Sequence, residues 1–223
     1  MNVGTLLQYA RGFHHDDRAG AALVCLLDWL ENHHLNPATG VWGEVDVTDP
    51  FWRSHAVQAA YHWWPLFAYE GRPFPHVDRA LETVLATQNP QGGFGWGVHN
   101  PTEPLKSSAC EDIDSLDPLA RMSTQTAQRQ ADVHRAIRTG AAWVLTNQVP
   151  DGGFVFIKDR PFEYGHPQLH GPANEGAMFP TWFRLLALAL ADTAVPGSVP
   201  GGLPWQFTNC PGMQFWRPYG GGS

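Results

Sequence analysis

Leu85-Ala86-Thr87-Gln88-Asn89-Pro90-Gln91-Gly92-Gly93-Phe94 returns later in the chain as Leu145-Thr146-Asn147-Gln148-Val149-Pro150-Asp151-Gly152-Gly153-Phe154, with Leu, Gln, Pro, both glycines and the aromatic in register. A looser copy runs Leu30-Glu31-Asn32-His33 and then Asn36-Pro37-Ala38-Thr39-Gly40-Val41-Trp42-Gly43. The glycine turns lie roughly 50 to 60 residues apart, the size of a helical hairpin with its loops.

Each turn is preceded by a stretch of helical period. Ala22, Leu26 and Leu30 form one apolar stripe; Val77, Leu81, Val84 and Leu85 a second; Val133, Ile137, Ala141 and Val144 a third. Apolar residues at this spacing predict amphipathic helices. After each turn comes an irregular loop and then a segment apolar around more of its circumference: about 54–69, 111–122 and 175–192. Such helices are buried on both sides. Phe154–Ile157 is the one short strand the pattern predicts. The expected fold is all-α, an α/α toroid of about three hairpins with buried helices inside and amphipathic ones outside. The inner helices then run parallel, and their N-termini gather at one mouth where unpaired N–H groups favour acidic groups.

Composition narrows the function. The 223 residues carry 14 Lys plus Arg against 21 Asp plus Glu, a formal charge of -7, which argues against a nucleic-acid partner. No apolar run is long enough to span a bilayer, and Met1–Ala10 lacks the pattern of a signal peptide, so the expected location is cytoplasmic. Cys25, Cys110 and Cys210 are odd in number and widely spaced, which suggests reduced thiols. Residues 1–193 read as one domain. Residues 194–223 are dense in Pro and Gly but carry Trp205, Phe207, Phe215, Trp216 and Tyr219, the pattern of a strap whose aromatics dock on that domain; its end, Gly220–Ser223, reads as flexible.

The Gln-x-x-x-Gly-x-aromatic pattern, preceded by a helix of small and aromatic residues as in Gly140-Ala141-Ala142-Trp143, resembles the QW repeat of the terpenoid cyclases, with Phe94 and Phe154 where those enzymes often have Trp. Gln148–Phe154 is also similar to the glycine turn of protein prenyltransferase β subunits. The resemblance covers roughly residues 16–192 and implies the α/α toroid. Rings of that superfamily usually have more hairpins, so this chain is expected to be an open ring or to complete one by pairing with a second copy as a homodimer.

In this charge-poor chain, Glu111, Asp112, Asp114 and Asp117 crowd the start of the second inner helix. Crowded carboxylates raise one another's pKa, so that one can stay protonated and serve as a general acid. Asp112-Ile113-Asp114-Ser115 resembles the Asp-x-Asp-Asp acid motif of class II terpene cyclases, with Ser115 in place of the last Asp. By that resemblance Asp114 is the acid and Asp112 its partner. The competing reading makes Glu111 and Asp112 solvent-facing helix caps. The first inner helix opens at Ser54-His55 and carries His62, and the third opens at Asn174-Glu175, so in a toroid His55, Asp112 and Glu175 converge on one mouth; their other use is to fix loops.

Trp63, Trp64, Trp96 and Trp182 are the candidates for lining a cavity, where their π faces would stabilise a cation. Phe94, Phe154 and Trp42 read as packing elements of the turns. No metal or cofactor is called: Cys110-Glu111-Asp112 reverses the zinc-binding Asp-x-Cys order of the prenyltransferases, and the His14-His15-Asp16-Asp17 and His33-His34 runs read as solvated. Three functions stay open: a terpenoid-cyclase-like enzyme on an isoprenoid, a carbohydrate-active toroid enzyme on a sugar, and a non-catalytic scaffold. An apolar aromatic cavity with a buried carboxylate cluster would favour the first, an open polar groove the second and a filled ring the third.

Overall fold

The computed structural model describes residues 1–220 and is predominantly helical. In chain order the elements are α1 (Asn2–His14), α2 (Asp17–Asn32), α3 (Pro50–Tyr61), α4 (Trp64–Tyr69), α5 (Val77–Leu85), α6 (Ala109–Met122), α7 (Gln130–Leu145), β1 (Phe162–Tyr164), β2 (His166–Gly171) and α8 (Met178–Ala194). Residues 221–223 of the tail read as flexible lie outside the described residues.

The repeat has a structural counterpart in each turn. An isolated bridge closes all three: Leu35 with Trp42, Gln88 with Phe94, and Gln148 with Phe154. In the second turn Gln88 Nε2 donates to Gly92 O and across to Ala136 O of α7, while Phe94 is fully buried. Trp42 donates its indole N–H to Leu30 O, closing the first turn against α2. Gly40 makes that turn sit tightly on the next hairpin: its φ is +69°, and a Cβ there would lie 2.3 Å from Ala80 N. Because both the φ and the backbone contact forbid a side chain, Gly40→Ala is expected to cost about 3 kcal/mol of unfolding free energy, read as a lowered urea midpoint.

α6 is the centre of the molecule. Each of its residues is buried, and α3, α4, α5, α7 and α8 all pack against it. α3 and α8 are half-buried helices, contrary to the expectation of burial on both sides. Phe51 and Trp52 on α3, and Met178, Trp182 and Leu185 on α8, are exposed.

Three elements differ from the sequence pattern. The helix expected over 54–69 is two helices, because Pro65 has no N–H to give Tyr61 O and the chain turns at His62 and Trp63 before α4 restarts. The strand expected over 154–157 reduces to the bridge at Phe154. Val155 O accepts from Arg184 Nε, and Phe156 O accepts from Arg184 Nη2 and from the Ala109 N–H, so this backbone is committed to α8 and α6 instead of a ladder. The strands present, β1 and β2, form an antiparallel hairpin further on. α1, which the repeat does not include, packs on α2.

The strap beyond α8 is held at defined points. Asp192 accepts the Gly197 and Val199 N–H groups and the Trp205 indole N–H. Phe215 is fully buried, and Arg121 Nη2 donates to Met213 O and Phe215 O. These contacts carry Met213 to the wall of the cavity described next.

Candidate functional site

The four carboxylates of α6 have four different surroundings. Ser108 caps the helix: its Oγ accepts the Glu111 N–H, and Glu111 Oε2 accepts the Ser108 N–H in return. Glu111 Oε1 accepts from Val98 N. Glu111 is therefore a cap, but a buried one. Asp112 is buried completely, ion-paired with Arg184 of α8 and accepting from Phe94 N and Trp143 Nε1. Asp117 accepts the Tyr61 hydroxyl at 2.8 Å and is ion-paired with Arg121.

Asp114 differs from the other three: it is 6% exposed, and its carboxyl makes no hydrogen bond among the described residues. Burial, reinforced by the charges of Glu111, Asp117 and Asp112, pushes its carboxyl well above the ordinary carboxylate range. Pro118, one turn on, has no N–H to give the Asp114 carbonyl, so that residue's backbone oxygen also lacks its helical donor.

Asp114 lies on the wall of a cavity of about 480 Å³ formed by α3, α6, the loop at Val98 and His99, the end of β1, the start of α8 and the strap. Its apolar lining includes Val98, Phe179, Phe183 and Met213; its polar lining includes His55, Gln58, His62, His99, Cys110 and Tyr164. Phe179 stacks on Tyr164, at 5.2 Å between ring centroids, and packs on Phe183 at 4.5 Å. Burial pushes His62 and His99 below the ordinary imidazole range and the Cys110 thiol well above its own. Burial thus favours the neutral forms of the Asp114 carboxyl, the His62 and His99 imidazoles and the Cys110 thiol in this cavity. His99 Nε2 donates to Gln58 Oε1 at 2.9 Å, which leaves His99 Nδ1 as a free acceptor; Gln58 Nε2 is buried without a partner.

Neither family models, curated proteins nor solved structures match this chain.

Of the residues singled out by the sequence, the cavity brings together Asp114, His55 and His62. Asp112 and Glu111 stand behind the wall as structural groups. Glu175 is exposed in the loop before α8, which begins three residues later than the pattern suggests. Trp64 is in the core against Trp42 and Phe74, Trp63 packs at the core edge, Trp96 is half-buried, and Trp182 is 39% exposed; none of them lines this cavity. No motif marks Gln58, His99, Tyr164, Phe179 and Phe183 for this cavity, and Cys110 stands out in the sequence only as a reduced thiol in a reversed Asp-x-Cys order. Two spacings point to some of them: His55, Gln58 and His62 share one face of a helical turn, and Cys110 lies four residues before Asp114. Among the described residues no cluster of three metal-ligating side chains occurs, and all three cysteines are unpaired.

Glu111 makes a measurable pH dependence. Burial raises its pKa from 4.5 to about 7. An acid whose folded pKa is raised contributes stability that is complete below its unfolded pKa and is lost as pH rises through the folded one, here from about 4.5 to above 7. The shift corresponds to about 3 kcal/mol. Glu111→Gln keeps an oxygen for the Ser108 N–H and removes the titration, so its urea midpoint is expected to decline less than the wild type's between pH 5 and pH 8. Parallel profiles would count against a neutral, buried Glu111.

Proposed function

We propose that this chain is a general-acid enzyme of the terpenoid-cyclase type, acting on an isoprenoid bound in the cavity beside Asp114. The observation that carries this reading is Asp114 itself, a buried carboxyl with no hydrogen-bond partner among the described residues, in a cavity that also holds Phe179, Phe183 and Tyr164. A carboxyl hydrogen-bonded to the protein would have its proton engaged; in this reading the Asp114 proton is available to a substrate. The cavity volume falls within the range of small-molecule sites, about 300–1,000 Å³.

In this mechanism Asp114 gives its proton to an alkene carbon or an epoxide oxygen. With an alkene the π pair forms the new C–H bond and leaves a carbocation; with an epoxide an oxygen lone pair forms the O–H bond, and the C–O pair withdraws to that oxygen as the ring opens to a hydroxyl and a carbocation. The faces of Phe179, Phe183 and Tyr164 stabilise that cation, the role expected of the tryptophans. In this reading His99 Nδ1 takes a proton from the carbon next to the final cation, so that the product is an isomer of the substrate. The hairpins α2–α3, α5–α6 and α7–α8 make up an arc of an α/α toroid in this reading, with α3, α6 and α8 as its inner helices. The Val98, Phe179, Phe183 and Met213 side of the lining suits the apolar body of an isoprenoid, a surface that a sugar's hydroxyls would leave unpaired.

The test is incubation of the purified chain with a panel of isoprenoid alkenes and epoxides, with products separated by gas chromatography and identified by mass. Products of unchanged mass are expected, with a rate that falls as pH rises through the raised pKa of Asp114. A panel without conversion at any pH from 5 to 8 would sink the proposal.

A further inference from the structure

A second cavity, of about 850 Å³, lies at the opposite end of α6, where the strap crosses between the α4 end and the α6 end. Its lining includes Arg72, Arg121 and Arg217, against a single carboxylate, Glu70. Glu70 is already engaged by Arg11 and Gln8, and Arg72 by Asp28 and Glu31. The other two arginines have capacity to spare.

Arg121 is 2% exposed. Its Nε goes to Asp117 and its Nη2 to two strap carbonyls, while Nη1 is buried with no partner among the described residues. A buried cationic donor left unpaired is costly, and a ligand oxygen would relieve it. Arg217 gives Nη1 to Tyr69 O and stacks on the Tyr69 ring at 4.2 Å, yet no carboxylate pairs with it among the described residues. Stacking fixes the plane of its guanidinium, so less freedom is lost when it binds an oxyanion. Trp216 and Tyr219 supply aromatic surface in the same cavity. The negative end of the α6 dipole works against an anion here, but it amounts to a fractional charge facing two full ones.

We propose that this cavity is a binding site for the phosphate group of a small organic phosphate, held by Arg217 and Arg121. Guanidinium groups match phosphate oxygens in geometry as well as charge, and the cavity is large enough to take the body of the molecule beside Trp216 and Tyr219. The site is separate from the Asp114 cavity and does not depend on the reaction proposed there.

Isothermal titration of the full chain with inorganic pyrophosphate and, separately, with AMP tests the proposal. Saturable binding of one equivalent is expected, weakening with salt and falling about tenfold in Arg217→Gln, the loss of a charged hydrogen-bonding partner. Arg217 is exposed, so the variant should fold, which circular dichroism checks. Arg79→Gln, which changes an exposed arginine outside the cavity, should bind as the wild type does. Tighter binding of AMP than of pyrophosphate assigns the aromatic wall to the organic part; equal binding assigns recognition to the phosphate alone, and either supports the site. Absence of saturable binding to both probes at millimolar concentration, or binding indifferent to Arg217→Gln, would overturn it.

Discussion

Arg184→Met is expected to remove a large share of the stability of the molecule, about 3–5 kcal/mol from the roughly 5–15 kcal/mol that a domain possesses. The side chain is buried completely, and its guanidinium makes contacts with three parts of the chain: the Asp112 carboxylate, the Val155 and Phe156 carbonyls, and Ser107 O. Methionine fills much of the same volume but donates nothing. Asp112 would then stay buried with its charge answered only by the Phe94 and Trp143 N–H groups, and the carbonyls after the third turn would lose a donor each. The ion pair itself adds little relative to an apolar pair of the same shape; the cost lies in leaving one partner behind. For that reason the double variant Arg184→Met with Asp112→Asn should recover part of the loss, since the amide oxygen still accepts from Phe94 N or Trp143 Nε1 without a buried charge. Urea midpoints of the wild type, both single variants and the double variant give the coupling. A midpoint for Arg184→Met within error of the wild type would show that Arg184 does not join the second and third hairpins.

The same residue explains where sequence reading stopped. The stripes of α5 and α7 follow from apolar spacing, and the glycine turns repeat as sequence and as closed bridges, because both are local properties of the chain; α2 forms as expected, but it buries Ala19, Leu23, Leu27 and Leu30 and leaves Ala22 exposed and Leu26 half-buried, so the stripe expected at Ala22, Leu26 and Leu30 is corrected by about one residue. The fate of Phe154–Ile157 is not local. Its alternation of apolar residues suits a strand, but Arg184, on another element, takes the carbonyls a strand would need. Asp112 likewise has its partner 72 residues away, so its sequence neighbourhood suggested a cap or a catalytic partner and gave no sign of a buried ion pair. Pro65 was a readable signal for the break between α3 and α4 and was outweighed by the apolar run around it. At the candidate site the acid cluster stood out by density of charge. His99 and Tyr164 did not, because they reach the cavity from a loop and from a hairpin end, where no periodicity marks which side chains face inward.

Asp114→Asn should separate catalysis from folding more cleanly than any other change in the cluster. As a general acid the wild-type carboxyl supplies about 10²–10⁴-fold in rate, and an amide has no proton to give, so turnover of any isoprenoid converted by the wild type should fall by that factor. The fold should not suffer. Asp114 has no hydrogen-bond partner to lose, and Asn has nearly the same shape. Stability should instead rise relative to the wild type as pH increases. The sign follows from the raised pKa: the wild type is fully stabilised below the unfolded value near 3.8, where the carboxyl is neutral in both states, and loses stability as pH climbs toward the folded value, because ionisation beside Glu111, Asp117 and Asp112 is opposed. Asn is neutral throughout and escapes that loss. Asp117→Asn provides the contrast, since Asp117 receives the Tyr61 hydroxyl and pairs with buried Arg121; that variant should lose stability at neutral pH. Urea midpoints at pH 5 and pH 8, measured beside product formation, distinguish the two carboxylates. Undiminished turnover in Asp114→Asn would remove Asp114 as the acid, and a stability loss equal to that of Asp117→Asn would mean that its carboxyl is bonded within the protein and has no free proton to offer.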